Sequence, residues 1–252
     1  MNTGNELIGF FESGFYEQFW GWEFDEHEAK YIAEKSVELP GITSGHILDW
    51  CGGWGRISIH LAEKGFKITI LDFVQDYLEK ARKMFAEKSL PLHTVNVDCR
   101  FTPREIQADH AICTFNSVGF LGEKDQIQAF QSLNNALKNN GKIIIDCINQ
   151  SFLTRHFMPA AEKTRPDGIK CVQHNRFAPQ TGLLHSDFRL IDTNGKTKAA
   201  RSFVQRIYTP RELKNLLEQS GFRVKGMFGS FEAKDLSCDL PQIIAVAEKA
   251  IN

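Results

Sequence analysis

Short apolar runs and amphipathic stretches follow one another along residues 41–150. Leu78, Ala81 and Phe85 recur at the spacing of a buried helix face. A second such face consists of Ile127, Phe130, Leu133 and Leu137. Between these faces, apolar runs occupy residues 46–50, 67–71, 93–97, 110–115 and 142–148. Because strands that alternate with helices build parallel sheets, the pattern predicts a doubly wound α/β core.

The segments on either side follow other patterns. Residues 1–40 are predicted to form a helical cap that ends at Pro40 and Gly41. Strands at 168–178, 183–192 and 199–208 predict an antiparallel β meander inserted within residues 151–208. Residues 209–252 supply a last helix, which starts with a capping box of Thr209 and Glu212, and a closing strand pair. We therefore expect one domain with a cap and an insertion.

The first predicted strand runs directly into a glycine-rich turn that opens a helix. Gly53 and Gly55 permit positive φ and a close approach of backbone to a ligand. The second strand ends at Asp72, 23 residues after Asp49. An acid at that place in a βαβ unit typically accepts hydrogen bonds from ribose hydroxyls. The pattern predicts a ligand that contains a nucleoside.

The spacing of the glycines disfavours a nicotinamide dinucleotide. Counted from Gly53, the third glycine of that fingerprint would fall on Ser58, and counted from Cys51 it would fall on Arg56. The turn after the first strand therefore does not match the nicotinamide dinucleotide fingerprint.

Asp49, Gly53 and Gly55 resemble motif I of class I S-adenosylmethionine-dependent methyltransferases, an acid followed by G-x-G-x-G. Cys51 departs from that motif, because it stands where the family usually has its first glycine. Asp98-Cys99 resembles the adenine-binding acid of the family and its neighbour, and residues 110–120 resemble the fourth strand and its turn in a bacterial small-molecule branch. Residues 142–148 resemble the fifth strand, and residues 206–213 resemble the last helix of that branch. The resemblance implies a Rossmann-like seven-stranded sheet with an antiparallel last strand, and S-adenosylmethionine as cofactor.

The resemblance also implies which residues bind that cofactor. Asp72 would hold the ribose, Asp98 and the Cys99 amide the adenine, and the backbone of residues 51–55 the methionine part. The expected set is Asp49, Cys51, Gly52, Gly53, Gly55, Asp72, Phe73, Asp98, Cys99, Phe115, Tyr16 and Trp20. A simpler interpretation stays open for each acid. Asp72 could be a helix cap, because acids often cap the helix that they precede, and Asp98 could be an ordinary turn residue.

Aromatic residues are unusually dense between residues 10 and 24. Phe11, Phe15 and Phe19 share a four-residue spacing, which predicts one helix packed on the core. Tyr16, Trp20 and Trp22 could instead form a lid over the methionine moiety and the substrate, which would exclude water from the reacting atoms. Both interpretations stay open.

The implied reaction is an in-line displacement, in which binding and alignment supply most of the catalysis and no metal is needed. Asn116 and Ser117 follow the fourth strand and are expected at the substrate, with Trp22 and Arg176. The catalytic residue is unknown, and the candidates are His156, His174 and Asn116. Each histidine has a suitable pKa for a general base, but a surface role explains it equally well.

Composition restricts the remaining choices. A net charge of −1 and a pI near 6.7 provide no basic field for nucleic acid. Neither a signal sequence nor a membrane span is recognisable, which favours a cytoplasmic protein, and six scattered cysteines give no support for a zinc site. We expect a small-molecule substrate and a possible homodimer through the meander.

Three functions remain for comparison. The leading hypothesis is transfer of a methyl group from S-adenosylmethionine to an O, N or C atom of a small molecule. A non-catalytic partner or regulatory subunit with the same fold is the alternative, since Cys51 departs from motif I and no base stands out. A nicotinamide oxidoreductase is the third hypothesis.

Overall fold

The computed structural model describes the backbone of residues 4–250 and, within them, all side chains except those of residues 4–6 and 8. The first three residues of the predicted cap therefore lie outside the described residues. The strands are β1 (His46–Trp50), β2 (Lys67–Asp72), β3 (His93–Asn96), β4 (Ala108–Cys113), β5 (Leu137–Ile148), β6 (Ala160–Thr164), β7 (Lys170–Ala178), β8 (Leu183–Ile191), β9 (Thr197–Arg206), β10 (Phe222–Phe228) and β11 (Gln242–Lys249). The α-helices are α1 (Gly4–Phe11), α2 (Phe15–Phe19), α3 (Glu26–Glu38), α4 (Ser58–Glu63), α5 (Gln75–Glu87), α6 (Glu123–Ala136), α7 (Gln150–Arg155) and α8 (Pro210–Gln219).

Seven strands form the central sheet in the order β10-β11-β5-β4-β1-β2-β3. β11 runs antiparallel to both of its neighbours, whereas β1 to β5 are parallel. The predicted doubly wound sheet with an antiparallel last strand is therefore confirmed. Because the chain moves outward from β1 in one direction and from β4 in the other, a crevice opens at the carboxyl ends of these two strands.

Both faces of the sheet are covered by apolar side chains. Leu48 and Trp50 of β1 pack with Phe130 and Leu133 of α6 on one face. On the other face, Ile47 packs with the residues that were predicted as a helix face, Leu78, Ala81 and Phe85. This alternation along β1 agrees with a strand buried on both sides. Burying each such Leu or Ile contributes about 1.5–3 kcal/mol, so the core fixes the strand ends that carry the crevice.

The predicted meander is confirmed and has one additional strand. β6, β7, β8 and β9 pair antiparallel in that order as a separate sheet. β6 was missed because four of its five residues are exposed and its sequence has no apolar alternation. Backbone pairing with β7 therefore maintains this edge strand, and its sequence gives no signal of it.

The N-terminal segment differs from the prediction of one continuous aromatic helix. Phe11 ends α1, whereas Phe15 and Phe19 belong to α2, and Gly14 between them has a φ of 68°. Phe15 and Phe19, together with Phe10, pack on Phe188 and other residues of the meander. The prediction was wrong because a left-handed glycine breaks the helical spacing, so the aromatic residues bridge two helices and the inserted sheet.

The end of α6 and the start of β5 differ from the prediction. Leu137 was predicted on the face of a helix but starts β5, which begins five residues earlier than its apolar run.

The capping box at the last helix is confirmed, since the Thr209 hydroxyl accepts from the Glu212 N–H and the Glu212 carboxylate accepts from the Thr209 N–H. Among the described residues, no helix is long and apolar enough to cross a bilayer.

Candidate active site

A cavity of about 390 Å³ fills the crevice at the carboxyl ends of β1 and β4. Its floor is the turn after β1, its sides are the ends of β2, β3 and β4, and its cover combines α1 and α2 with one face of the meander. The size lies within the range of small-molecule sites. The polar lining residues are Tyr16, Asp49, Cys51, Arg56, Asp72, Tyr77, Asp98, Cys99, Thr114, Asn116, Ser117, Gln126, Gln173, Ser186 and Gln205.

The turn after β1 depends on glycine at two positions for different reasons. A Cβ on Gly52 would lie 2.4 Å from the Asp49 carboxyl carbon, so the turn folds tightly over that buried acid. Gly55 has a φ of 76°, and a Cβ there would lie 2.5 Å from Ile70 Cδ1. Cys51 has a φ of 62° in spite of its side chain. Its thiol packs beside Cys99 and Cys113, so the side chain finds room beneath the turn.

Two buried acids hold the turn from below. Ser58 Oγ donates to Asp49 Oδ2 at 2.7 Å. The Gly53 and Val74 N–H groups donate to the two oxygens of Asp72, both at 2.9 Å. Burial raises the pKa of Asp49 to about 7 and that of Asp72 to about 6, although these hydrogen bonds act in the opposite direction. Asp72 therefore connects the glycine turn to the segment just before α5, and it also faces the cavity.

Asp98 has a different environment. Its carboxylate accepts from the guanidinium of Arg100 at 2.7 Å and from the Arg100 N–H at 2.8 Å. Burial acts to raise the pKa of Asp98, but the hydrogen bonds and positive charge of Arg100 outweigh burial and lower it. Arg100 also bonds Asp125 on α6, which anchors this loop beside the cavity.

Arg56 is the cation of the described cavity lining. Its Cζ atom lies 3.6 Å from the centroid of the Phe115 ring, and its Nη2 donates to Tyr16 Oη at 3.2 Å. Stacking on an aromatic face restrains a guanidinium while leaving its edge N–H groups available. Arg56 therefore connects the glycine turn, the end of β4 and the N-terminal cover.

Phe115 and Asn116 form a strained turn at the edge of the cavity. Both have left-handed backbone, with φ of 61° and 59°. Asp146 Oδ1 accepts from the Asn116 N–H at 3.1 Å, and Gln205 Nε2 donates to the Asn116 carbonyl at 2.9 Å. Burial raises the pKa of Asp146 to about 6. Asn116 Oδ1 is buried without a hydrogen-bond partner among the described residues, and such an unsatisfied acceptor at a cavity edge indicates a ligand contact.

The N-terminal cover is attached to the core by polar contacts as well as by aromatic packing. Tyr77 Oη donates to Glu17 Oε2 at 3.1 Å, and burial raises the pKa of Tyr77. Trp20 packs against Phe188 of the meander with ring centroids 5.1 Å apart. The cover therefore rests on both α5 and the meander.

Most residues that the sequence predicted for the cofactor line this one cavity. They are Asp49, Cys51, Gly52, Gly53, Asp72, Phe73, Asp98, Cys99, Phe115, Tyr16 and Trp20. Gly55 lies behind the turn, where it packs on the core. Of the residues expected at the substrate or as catalyst, Asn116 and Ser117 also line the cavity.

The other substrate and catalytic candidates lie outside the cavity. Trp22 donates from Nε1 to the Phe19 carbonyl. His174 is exposed on the outer face of β7, where Arg176 pairs with Asp187 at 3.2 Å. His156 stacks on Phe152 and lies 3.7 Å from an Asp239 oxygen. The positions of His174 and Arg176 follow from side-chain alternation along β7, which turns both residues away from the cavity.

Sequence reasoning missed the lining residues that come from the inner face of the meander, and it also missed Arg56 and Tyr77 as lining residues. Arg56 directly follows the glycine turn, so its place in the motif was a usable signal. Gln173, Ser186 and Gln205 carried no such signal, because only the packing of the meander on the cavity gives them a role.

Comparison with known proteins gives the same family throughout. A family model described as a methyltransferase domain matches residues 47–141. The chain is 27% identical to the putative methyltransferase YqeM of Bacillus subtilis (strain 168), over 86% of this chain and 89% of the relative. It is 34% identical to a glycine/sarcosine N-methyltransferase of Parasynechococcus marenigrum (strain WH8102), over 81% of this chain and 71% of the relative.

Comparison with solved structures shows a similar fold. The structure of an S-adenosylmethionine-dependent methyltransferase from Clostridium acetobutylicum ATCC 824 superposes with a TM-score of 0.79 at 16% identity. The match covers 95% of this chain and 98% of that protein. At this identity the likeness is one of fold.

Proposed function

The chain belongs to the class I S-adenosylmethionine-dependent methyltransferases, and we propose that it methylates an O, N or C atom of a small molecule held beneath the meander. When bound, S-adenosylmethionine supplies a methyl group activated by a positive sulfur. The single observation that carries the proposal is one cavity shared by the glycine turn, three acids and the meander face. A donor and an acceptor can therefore meet there away from bulk water.

The lining suits the cofactor in charge and in shape. Each oxygen of Asp72 uses one lone pair for a backbone N–H, which leaves further lone pairs for ribose hydroxyls. Phe73 offers a ring for adenine, next to Asp98 and Cys99. Arg56 offers a guanidinium for the carboxylate of the methionine part. Asn116 Oδ1 has no hydrogen-bond partner among the described residues, so it can accept a hydrogen bond from an N–H group of the ligand at the same end.

The aromatic cover would exclude water and leave the chemistry to alignment. Tyr16 and Trp20 approach the cavity from α2 and the residue after it, and Glu17 on the same helix bonds Tyr77. A well-aligned pair of reactants can lower a barrier by about 7–11 kcal/mol. The residues that hold the two molecules therefore suffice for catalysis without a covalent intermediate.

Two measurements test the proposal. Calorimetry with S-adenosylhomocysteine is expected to give one site per chain, and labelled S-adenosylmethionine is expected to transfer its methyl to a member of a small-molecule panel. Folded protein that binds neither compound would refute the proposal. Binding without turnover across the panel would favour the non-catalytic interpretation for this chain.

We also propose a homodimer through the meander. Its sheet ends in the exposed edge strand β6, and Arg176 and Asp187 lie on its outward face. Exposed edges offer a route to pairing. Light scattering during size-exclusion chromatography measures the mass directly, and a mass of 28.6 kDa at high protein concentration would contradict the dimer.

A further inference from the structure

We propose that the meander selects an acceptor that is uncharged and donates hydrogen bonds, namely a small neutral amine, and that Gln173, Ser186 and Gln205 make this selection. The inference depends on the proposed function, because it concerns the second molecule in the same cavity. Its basis is the hydrogen bonding of these three side chains and the absence of charge around them.

The three residues share one face of the meander. Asn175 lies opposite Ser186, Ser186 opposite Phe203, and Leu184 opposite Gln205. Gln173 stands two residues before Asn175 on the same strand, so it has the same orientation. Ser186 and Gln205 are buried, and with Gln173 they line the cavity beside Leu184 and Phe203.

Most hydrogen-bond donors of this face are already used inside the protein. Gln205 Nε2 donates to the carbonyls of Asn116 and Val118, both at 2.9 Å. Ser186 Oγ donates to Asn175 Oδ1 at 2.8 Å, and Gln173 Nε2 donates to the same oxygen at 2.8 Å. Asn175 Nδ2 donates to the Met158 carbonyl, which fixes the orientation of the Asn175 amide.

The remaining capacity of these side chains is mainly that of acceptors. Both N–H bonds of Gln205 and the O–H bond of Ser186 are committed, so these residues can offer a ligand only oxygen lone pairs. Gln173 keeps its Oε1 and one N–H. A ligand that presents N–H groups satisfies these oxygens, whereas a ligand that presents only acceptors leaves them unpaired and therefore binds more weakly.

The meander contributes no charge to the described cavity lining. The charged lining residues come from elsewhere: Asp49 from β1, Arg56 from the turn after it, Asp72 from the end of β2, and Asp98 from the loop after β3. The described meander residues of the lining are Gln173, Leu184, Ser186, Phe203 and Gln205, all uncharged. A carboxylate or an ammonium held against this face would be desolvated without a counter-charge on the meander, which is unfavourable.

The same neutrality favours nitrogen as the methylated atom. A hydroxyl needs a base to attack, and the described part of the meander face has none. The lone pair of a neutral amine can form the N–C bond as the C–S bond breaks, with the electron pair of that bond staying on sulfur. The positive charge passes from sulfur to the new ammonium, which loses one proton to water when the product is released, so no side chain has to take it in the displacement itself.

Three matched probes test the selection: aniline, toluene and benzoate. They share one ring and differ in offering N–H donors, no polar group, or a charged acceptor. Each is titrated by NMR into protein saturated with S-adenosylhomocysteine at pH 7.5. One additional hydrogen bond corresponds to about 2- to 10-fold in affinity, so aniline is expected to bind that much more tightly than toluene, with benzoate weakest. Benzoate binding as tightly as aniline would overturn the proposal.

A variant with an added positive charge makes the test sharper. In Gln173→Lys, the ammonium can still donate to Asn175 Oδ1, as Gln173 Nε2 does, but it adds a positive charge at the meander face. Benzoate is expected to become the tightest probe. Arg189→Gln is the control, because Arg189 is exposed on β8 and is absent from the described lining, so the probe order should stay that of the wild type.

The outcomes separate the two proposals. Affinity for S-adenosylhomocysteine and the unfolding temperature are measured for every variant. Absence of S-adenosylhomocysteine binding by the folded wild-type protein contradicts the proposed function. Intact folding and cofactor binding with an unchanged probe order in Gln173→Lys contradict the acceptor selection alone.

Discussion

Substituting glycines one at a time tests how the turn after β1 is built. Gly55→Ala places a Cβ 2.5 Å from Ile70 Cδ1 and 3.4 Å from Phe85 Cε2, with φ at +76°. The left-handed backbone costs about 1–2 kcal/mol for a residue with a Cβ, and overpacking a buried site costs about 1–3 kcal/mol more. We therefore expect Gly55→Ala to lower the free energy of unfolding by about 2–5 kcal/mol.

Gly53→Ala should behave differently although its φ, +56°, is also left-handed. Its nearest contact would be Tyr77 Cδ2 at 3.8 Å, an ordinary van der Waals distance, so only the backbone cost of about 1–2 kcal/mol applies. Gly65→Ala is the matched control, since it has positive φ and no atom within 4 Å. Urea unfolding monitored by tryptophan fluorescence gives all three values. Equal losses for Gly53→Ala and Gly55→Ala would refute the packing role of Gly55.

Three further variants test other parts of the structure. Asp72→Asn keeps the shape of the side chain but loses an acceptor oxygen, so we expect affinity for S-adenosylhomocysteine to fall by about 10-fold or more in calorimetry; an unchanged affinity would exclude the ribose role. Burial raises the pKa of Asp146 from 3.8 to about 6, so its favourable contribution is present below pH 4 and is lost as pH rises through 6. Relative to Asp146→Asn, the wild type should lose about 2 kcal/mol in urea unfolding between pH 4 and 7, and parallel pH profiles would contradict this. Thr209→Ala removes the N-cap of α8 and should cost about 1 kcal/mol in urea unfolding, with no change meaning that the capping box is dispensable.

Local pattern determined the central sheet well. The run at residues 46–50 matches β1 residue for residue, and the capping box starts α8 where the sequence placed it. Both features depend on neighbours along the chain, either through burial on two faces or through hydrogen bonds across one turn. Most of the residues predicted for the cofactor line one cavity, because the ends of parallel strands share an edge.

The errors arose where the structure depends on distant contacts. Phe11, Phe15 and Phe19 kept a helical spacing across Gly14, and only the meander determines where their rings pack. β6 has no apolar signal, since pairing with β7 is what holds it. Gln173 and Gln205 look like ordinary polar strand residues until the meander closes over the crevice. Long-range packing is not written in local periodicity.

A crystal structure with S-adenosylhomocysteine bound tests the central claim most directly, namely that the cofactor occupies the crevice between β1 and β4. We expect the ribose hydroxyls within hydrogen-bond distance of the Asp72 carboxylate, the adenine beside Phe73 and Asp98, and the sulfur facing Asn116 and the inner face of the meander. Electron density for the compound elsewhere, with this crevice filled only by water, would contradict the assignment of the site.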